Sequence, residues 1–89
     1  MIAKHVEVFG RVQGVWFRAK TKEQAQQFKV NGWVRNTDGG GVEAHLEGEE
    51  DSVERLLTWM HMGPPLARVE HVDEADVPPE GYTSFDILV

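Results

Sequence analysis

Gly10-Arg11-Val12-Gln13-Gly14-Val15-Trp16-Phe17-Arg18 is where the chain changes its period. Before it, Val6, Val8 and Val12 share one face of a strand and Phe9 lies on the other. After it, Phe17, Thr21, Ala25, Phe28 and Gly32 recur at spacings of four, four, three and four, one stripe of a helix. Lys20, Lys22, Glu23, Gln26, Gln27 and Lys29 supply the wet face. The pattern predicts a strand over 4–12 and a helix over 17–31. Asn31-Gly32 is expected to stop the helix, because both residues tolerate the left-handed conformation needed there.

Trp33-Val34-Arg35-Asn36 reads as a short second strand. Thr37-Asp38-Gly39-Gly40-Gly41 is a turn rich in residues that accept positive φ. Val42-Glu43-Ala44-His45-Leu46-Glu47 alternates as a third strand, with Val42, Ala44 and Leu46 inward and Glu43, His45 and Glu47 outward. Two strands about a tight turn make an antiparallel hairpin. Gly48-Glu49-Glu50-Asp51-Ser52 carries acids and cap candidates. Val53, Leu56, Leu57 and Met60 then form the strongest helical stripe in the chain, which Gly63-Pro64-Pro65 ends. Leu66 to Val72 is a fourth strand, Asp73 to Gly81 an acidic surface loop, and Ser84 to Val89 a last edge strand. The order β-α-β-β-α-β plus a short terminal strand predicts one α+β domain over 1–89. Its arrangement is ferredoxin-like, a split β-α-β: an antiparallel sheet with two helices on one face.

The chain has no cysteine, which excludes a disulfide framework, a thiolate metal site and a Cys nucleophile. No apolar run is long enough to span a membrane, and Met1-Ile2-Ala3-Lys4-His5 enters a strand pattern at once, unlike a signal peptide. A cytoplasmic protein is expected. The formal charge is −6, unevenly spread: residues 1–45 hold seven Lys/Arg against four Asp/Glu, and residues 46–89 two against eleven. An acidic chain without aromatic-basic patterning on a central strand argues against nucleic-acid binding.

The glycine loop at 10–18 is either a plain glycine turn into a helix, with Arg18 solvated at the surface, or a helix start whose backbone N–H groups form a cradle suited to a phosphate or a carboxylate. Arg18 adds a planar fork of donors. Val15-Trp16 follow Gly14 where an NTP-binding loop has Lys-Ser or Lys-Thr, so that motif is absent. A dinucleotide fingerprint would need a further glycine and a parallel sheet. Asn36, at a strand end, either starts the turn or offers its amide to a water beside a bound anion.

Together these residues carry a resemblance. Gly10-x-Val12-Gln13-Gly14-Val15-x-Phe17-Arg18, then Gly32-Trp33-Val34-Arg35-Asn36, with Asp38-Gly39 and Val42-Glu43 beyond, resembles the acylphosphatase family. Chain length, element order and the Gly63-Pro64-Pro65 stop also agree. The resemblance implies a ferredoxin-like enzyme that hydrolyses acyl phosphates to a carboxylate and inorganic phosphate. It implies that the backbone amides of Gln13, Gly14, Val15, Trp16, Phe17 and Arg18, with the Arg18 side chain, bind the phosphoryl group. Asn36 would position the water. Two features depart from the family: a bulky Trp16 where a smaller residue is frequent, and the Gly39-Gly40-Gly41 run, which suggests a mobile hairpin tip.

That chemistry suits the residue types. The leaving group is a carboxylate of pKa near 4, which needs no general acid. Holding the phosphoryl group, balancing its charge and aligning a water suffice, without metal or cofactor. The expected partners are an acyl phosphate and inorganic phosphate, the latter as product and competitive inhibitor; the chain is expected to be a monomer that binds no nucleic acid and no membrane. Two rivals stand beside this reading: a non-catalytic anion-binding module, and a nucleic-acid-binding domain of the same fold. His5, His45, His61 and His71 show no metal-ligand spacing and read as surface or interface residues. Arg11 and Arg35 are secondary candidates for drawing in an anion.

Overall fold

In the computed structural model, which describes residues 1–89, the change of period falls between β1 (Ile2–Arg11) and α1 (Phe17–Phe28). There follow β2 (Asn31–Asn36), β3 (Val42–Gly48), α2 (Glu50–Met62), β4 (Arg68–Val77) and β5 (Phe85–Ile87). The strands form one sheet in the order β4-β1-β3-β2-β5. The helices pack on one another and on the sheet, burying a core of 16 apolar residues that includes Val6, Val8, Val34, Ala44 and Leu46 from the strands. Phe17 and Ala25 of α1 and Val53, Leu56, Leu57 and Met60 of α2 face them, as their spacing predicts. The fold is ferredoxin-like. No helix is long and apolar enough to cross a membrane.

The first four strands pair antiparallel, but β5 runs parallel to β2, so the sheet is mixed rather than antiparallel throughout. The route of the chain explains this. β4 ends with Val77 beside Ala3, which pairs with Glu47, which in turn pairs with Asn31. The segment after Val77 contacts Glu47 and Asn31 along that row, so it crosses to the opposite edge at this end of the sheet. From there β5 can only run the way β2 runs. In consequence β1, β2 and β5 all finish at the other end of the sheet, where α1 begins.

Three expectations need correction. The acidic stretch after Val72 is not all loop: Asp73 to Val77 continue β4, paired with Ala3 to Glu7. Its carboxylates point to solvent from an edge strand, where charge deters further pairing, and the Lys4 Nζ lies 2.9 Å from Asp76 and 3.6 Å from Glu74. The strand stops at Pro78-Pro79, which have no N–H to donate. Secondly, α1 ends at Phe28, and Lys29 (φ 61°, ψ 45°) takes the left-handed position expected of Asn31-Gly32. Gly32 belongs to β2 instead: a Cβ there would sit 1.8 Å from the His45 carbonyl oxygen.

Thirdly, His45 and Glu47 do point away from the helices, but they are buried, 3% and 2% exposed. Residues 80–82 lie over them as a strap. The amides of Glu80, Gly81 and Tyr82 all donate to the Glu47 carboxylate, the last two at 3.1 and 3.2 Å. His45 Nε2 donates to it at 2.7 Å, and the rings of Trp33 and Tyr82 flank His45. Burial pushes the Glu47 carboxyl up, but the Glu80 amide, the His45 imidazole and the amides of Tyr82 and Gly81 outweigh it and hold it below its ordinary value. Alternation alone reads such a face as wet, because it cannot see a strap arriving from 33 residues away.

Candidate active site

The start of α1 lacks the usual acceptors. Trp16 is the residue before its first turn, and neither it nor any other side chain caps the helix. The amides of Gln13, Gly14, Val15 and Trp16 donate to no protein acceptor, and the first bonded amide is that of Lys20, to the Trp16 carbonyl at 3.0 Å. Those of Phe17, Arg18 and Ala19 have no intrahelical partner by geometry. Gly14 (φ 74°) and Trp16 (φ 70°) are both left-handed, which turns successive N–H groups toward a common side. The first turn holds no acid, in contrast to α2, whose first turn carries Glu50 and Asp51. Instead it holds Arg18, a cation at the positive end of the helix dipole, which makes no hydrogen bond or ion pair with the protein. Amides without acceptors, the positive dipole end and an unpaired guanidinium together make a cradle for an anion.

A cavity of about 330 Å³ opens at this point, lined by Val12, Gly14, Trp16, Phe17, Arg18, Ala19 and Ile87. Its wall carries no carboxylate and no histidine. Of the loop residues expected at the site, Gly14, Trp16, Phe17 and Arg18 meet on it. Val15 is buried in the core, and Gln13 turns its side chain the other way.

That side chain has a role that the sequence reading missed. Gln13 Nε2 donates to the carbonyls of Thr37 and Gly41, both at 2.8 Å. These residues form the base of the β2–β3 turn, closed by Thr37 N to Gly41 O at 2.9 Å and by Gly41 N to Thr37 Oγ1 at 3.0 Å. The glycine-rich tip expected to be mobile therefore stands on a base tied to the loop. The only hint in the sequence is a single amide side chain in an otherwise apolar run.

Asn36, next to Thr37, ends β2 on the face that Val34 presents to the core. It is not on the cavity wall itself. Its Oδ1 is buried and has no hydrogen-bond partner in the protein, an exception that calls for an explanation in a native fold. Turn chemistry does not use it, since the bonds closing the turn come from Thr37 and Gly41.

The secondary candidates divide. Arg35 lies on the far face, its Nε and Nη2 each 2.6 Å from Glu43 Oε1. The hydrogen bond from His5 holds the Glu43 carboxyl below its ordinary value; burial opposes it, and Arg35 adds to the effect. Arg35 is thus occupied elsewhere. Arg11 is exposed on β1.

The fold and the site define a small ferredoxin-like α+β protein whose first helix starts with unpaired amides and a free guanidinium. Comparison with known proteins gives the particular kind. The sequence profile described as Acylphosphatase matches residues 4–87. An acylphosphatase of Natronomonas pharaonis is 51% identical over 86 residues, 97% of this chain and 94% of that protein. Among solved structures, an acylphosphatase from Bacillus subtilis superposes with a TM-score of 0.97 at 33% identity, covering 100% of both chains. One from Coxiella burnetii superposes with a TM-score of 0.94 at 38% identity, covering 98% of this chain and 92% of the other. The chain belongs to the acylphosphatase family.

Proposed function

We propose that the chain hydrolyses the carboxyl–phosphate bond of acyl phosphates, giving a carboxylate and inorganic phosphate. The observation that carries the reading is the start of α1, where amides without acceptors and an unpaired Arg18 converge on a cavity free of acids. The phosphoryl oxygens lie against the amides of Gln13 to Arg18, and the Arg18 fork balances their charge. Such donors are fixed before the reaction begins, so they stabilise the charge of the transition state at little reorganisation cost. Asn36 orients the water: its unpartnered Oδ1 accepts a hydrogen bond from the water and turns a lone pair of the water toward phosphorus. Gln13 holds the β2 end at the required place. The carboxylate leaves unprotonated. The proton of the water passes to a phosphoryl oxygen, since no side chain on the cavity wall is a base.

No step requires a metal, and chelation with EDTA should leave the rate unchanged. Acetyl phosphate and benzoyl phosphate are direct substrates for the assay. Arg18→Ala should lose turnover and also the competitive inhibition by inorganic phosphate. Asn36→Ala should lose turnover while keeping much of that inhibition, because it leaves the cradle intact. Full activity in either folded variant would refute the assignment. Loss of activity in EDTA, restored by a divalent cation, would refute the metal-free mechanism. The chain acts as a monomer in this reading, which sedimentation at assay concentration tests.

A further inference from the structure

The cavity is larger than the phosphoryl group needs. It measures about 330 Å³ against roughly 30 Å³ for one water in the liquid, so the phosphorus and three oxygens of a phosphoryl group do not fill it. The surplus is walled by apolar side chains, above all Trp16 and Ile87. Trp16 is unusual twice over. The residue is 71% exposed, and its backbone is left-handed, where glycine is the unstrained choice and a bulky residue is disfavoured. Core packing does not explain an exposed side chain, and the loop geometry alone would favour glycine. Ile87, on β5, also lines the cavity and is 39% exposed. Its strand is held by Gly32 N to Ser84 O at 2.8 Å and by Leu88 N to Val34 O at 2.9 Å, so this wall is fixed to the sheet.

We infer that Trp16 and Ile87 form an apolar clamp for the acyl part of the substrate, and that the chain selects acyl phosphates with an uncharged aromatic or branched acyl group. This inference rests on the phosphoryl-binding reading above: with the phosphoryl group in the cradle, the acyl group projects into the remaining space. An aromatic ring there lies against the indole, an arrangement that adds to simple area burial. The only charge on the wall is Arg18, which the phosphoryl group occupies, so nothing remains to balance a charged acyl group. Trp16 thus has two separable parts: its amide belongs to the cradle, and its indole sets specificity.

The test is the ratio of kcat/KM for benzoyl phosphate to that for acetyl phosphate. A ratio cancels any loss common to both substrates, including disturbance of the Trp16 amide. Wild type should favour benzoyl phosphate. Trp16→Gly, which suits the left-handed backbone, and Ile87→Ala should each lower the ratio about tenfold, the scale of losing apolar contact in a pocket. Trp16→Phe should restore most of it. Inorganic phosphate has no acyl group and should inhibit Ile87→Ala with the wild-type Ki. A ratio unchanged in both variants, with both substrates still turned over, would overturn the clamp and leave the hydrolase reading standing. Failure of wild type to turn over either substrate would overturn both.

Discussion

Replacing Glu47 by Ala removes the acceptor for four donors at once: the amides of Glu80, Gly81 and Tyr82, and His45 Nε2. Hydrogen bonds to a charged group contribute about 1.5–3 kcal/mol each, so a simple sum of about 6–12 kcal/mol would match the whole stability of a small domain. The structure reduces that figure. Residues 80–82 are exposed, so their amides recover water when the carboxylate is gone. His45 is 3% exposed and cannot, which leaves a polar ring nitrogen without its partner. With most of the loss assigned to His45 and a fraction to each amide, Glu47→Ala should cost about 3 kcal/mol. At about 4–8 °C per kcal/mol for a chain of this size, the melting temperature should fall by roughly 15 °C. Glu47→Gln keeps an acceptor and the shape, and should lose about half as much. Urea unfolding followed by circular dichroism gives the free energies. Hydrogen exchange gives the location: the amides of 80–82 should lose protection first, before those of β1 and β3. A Glu47→Ala protein within about 0.5 kcal/mol of wild type, the range of an ordinary surface change, would refute the reasoning.

The same carboxylate makes stability depend on acid. Glu47 and Glu43 both titrate below the usual carboxyl value of 4.5, so their contribution is present above that value and lost as the pH falls through their folded values. Stability should decline steeply below about pH 4.5, and Glu47→Gln should flatten that decline in an acid titration of the unfolding free energy. Gln13→Ala should lower kcat more than it raises the Ki of phosphate, because it releases the β2 end and leaves the amides in place; an unchanged kcat would remove Gln13 from the site. Gly32→Ala should destabilise by more than 2 kcal/mol, since the β2–β3 pair must separate to admit the methyl group; wild-type stability in urea would contradict it. Arg18→Ala should raise the barrier to hydrolysis by about 3 kcal/mol, a rate loss on the order of a hundredfold, measured with acetyl phosphate.

Most of the candidate site was legible because its chemistry is local. A cradle made of consecutive amides at one helix start is encoded in consecutive residues, although Gly14 and Arg18 alone read equally as a turn with a solvated arginine, and the match with Gly32 to Asn36 singled them out. Asn36 was legible only jointly with the loop; by itself it reads more readily as a turn residue. The Gln13 side chain escaped notice because its partners are carbonyls of Thr37 and Gly41, which no residue identity marks. Ile87 escaped for a different reason. It lines the cavity only because β5 ends there, and alternation along 84–89 predicts an edge strand without saying which edge or which direction.

What the sequence determined by itself is therefore what depends on neighbours along the chain: the change of period at Gly10–Arg18, the stripes of α1 and α2, the hairpin, and the donors of the cradle. The tertiary structure alone decided the parallel course of β5, the continuation of β4 through Asp76 and Val77, and the burial of His45 and Glu47 under residues 80–82. The first and the last follow from the crossing of the chain from one edge of the sheet to the other, and the second from pairing with Ala3 to Glu7 of β1. That crossing is fixed by one carboxylate meeting three amides more than 30 residues away, and periodicity, which compares a residue only with its near neighbours, contains no term for it.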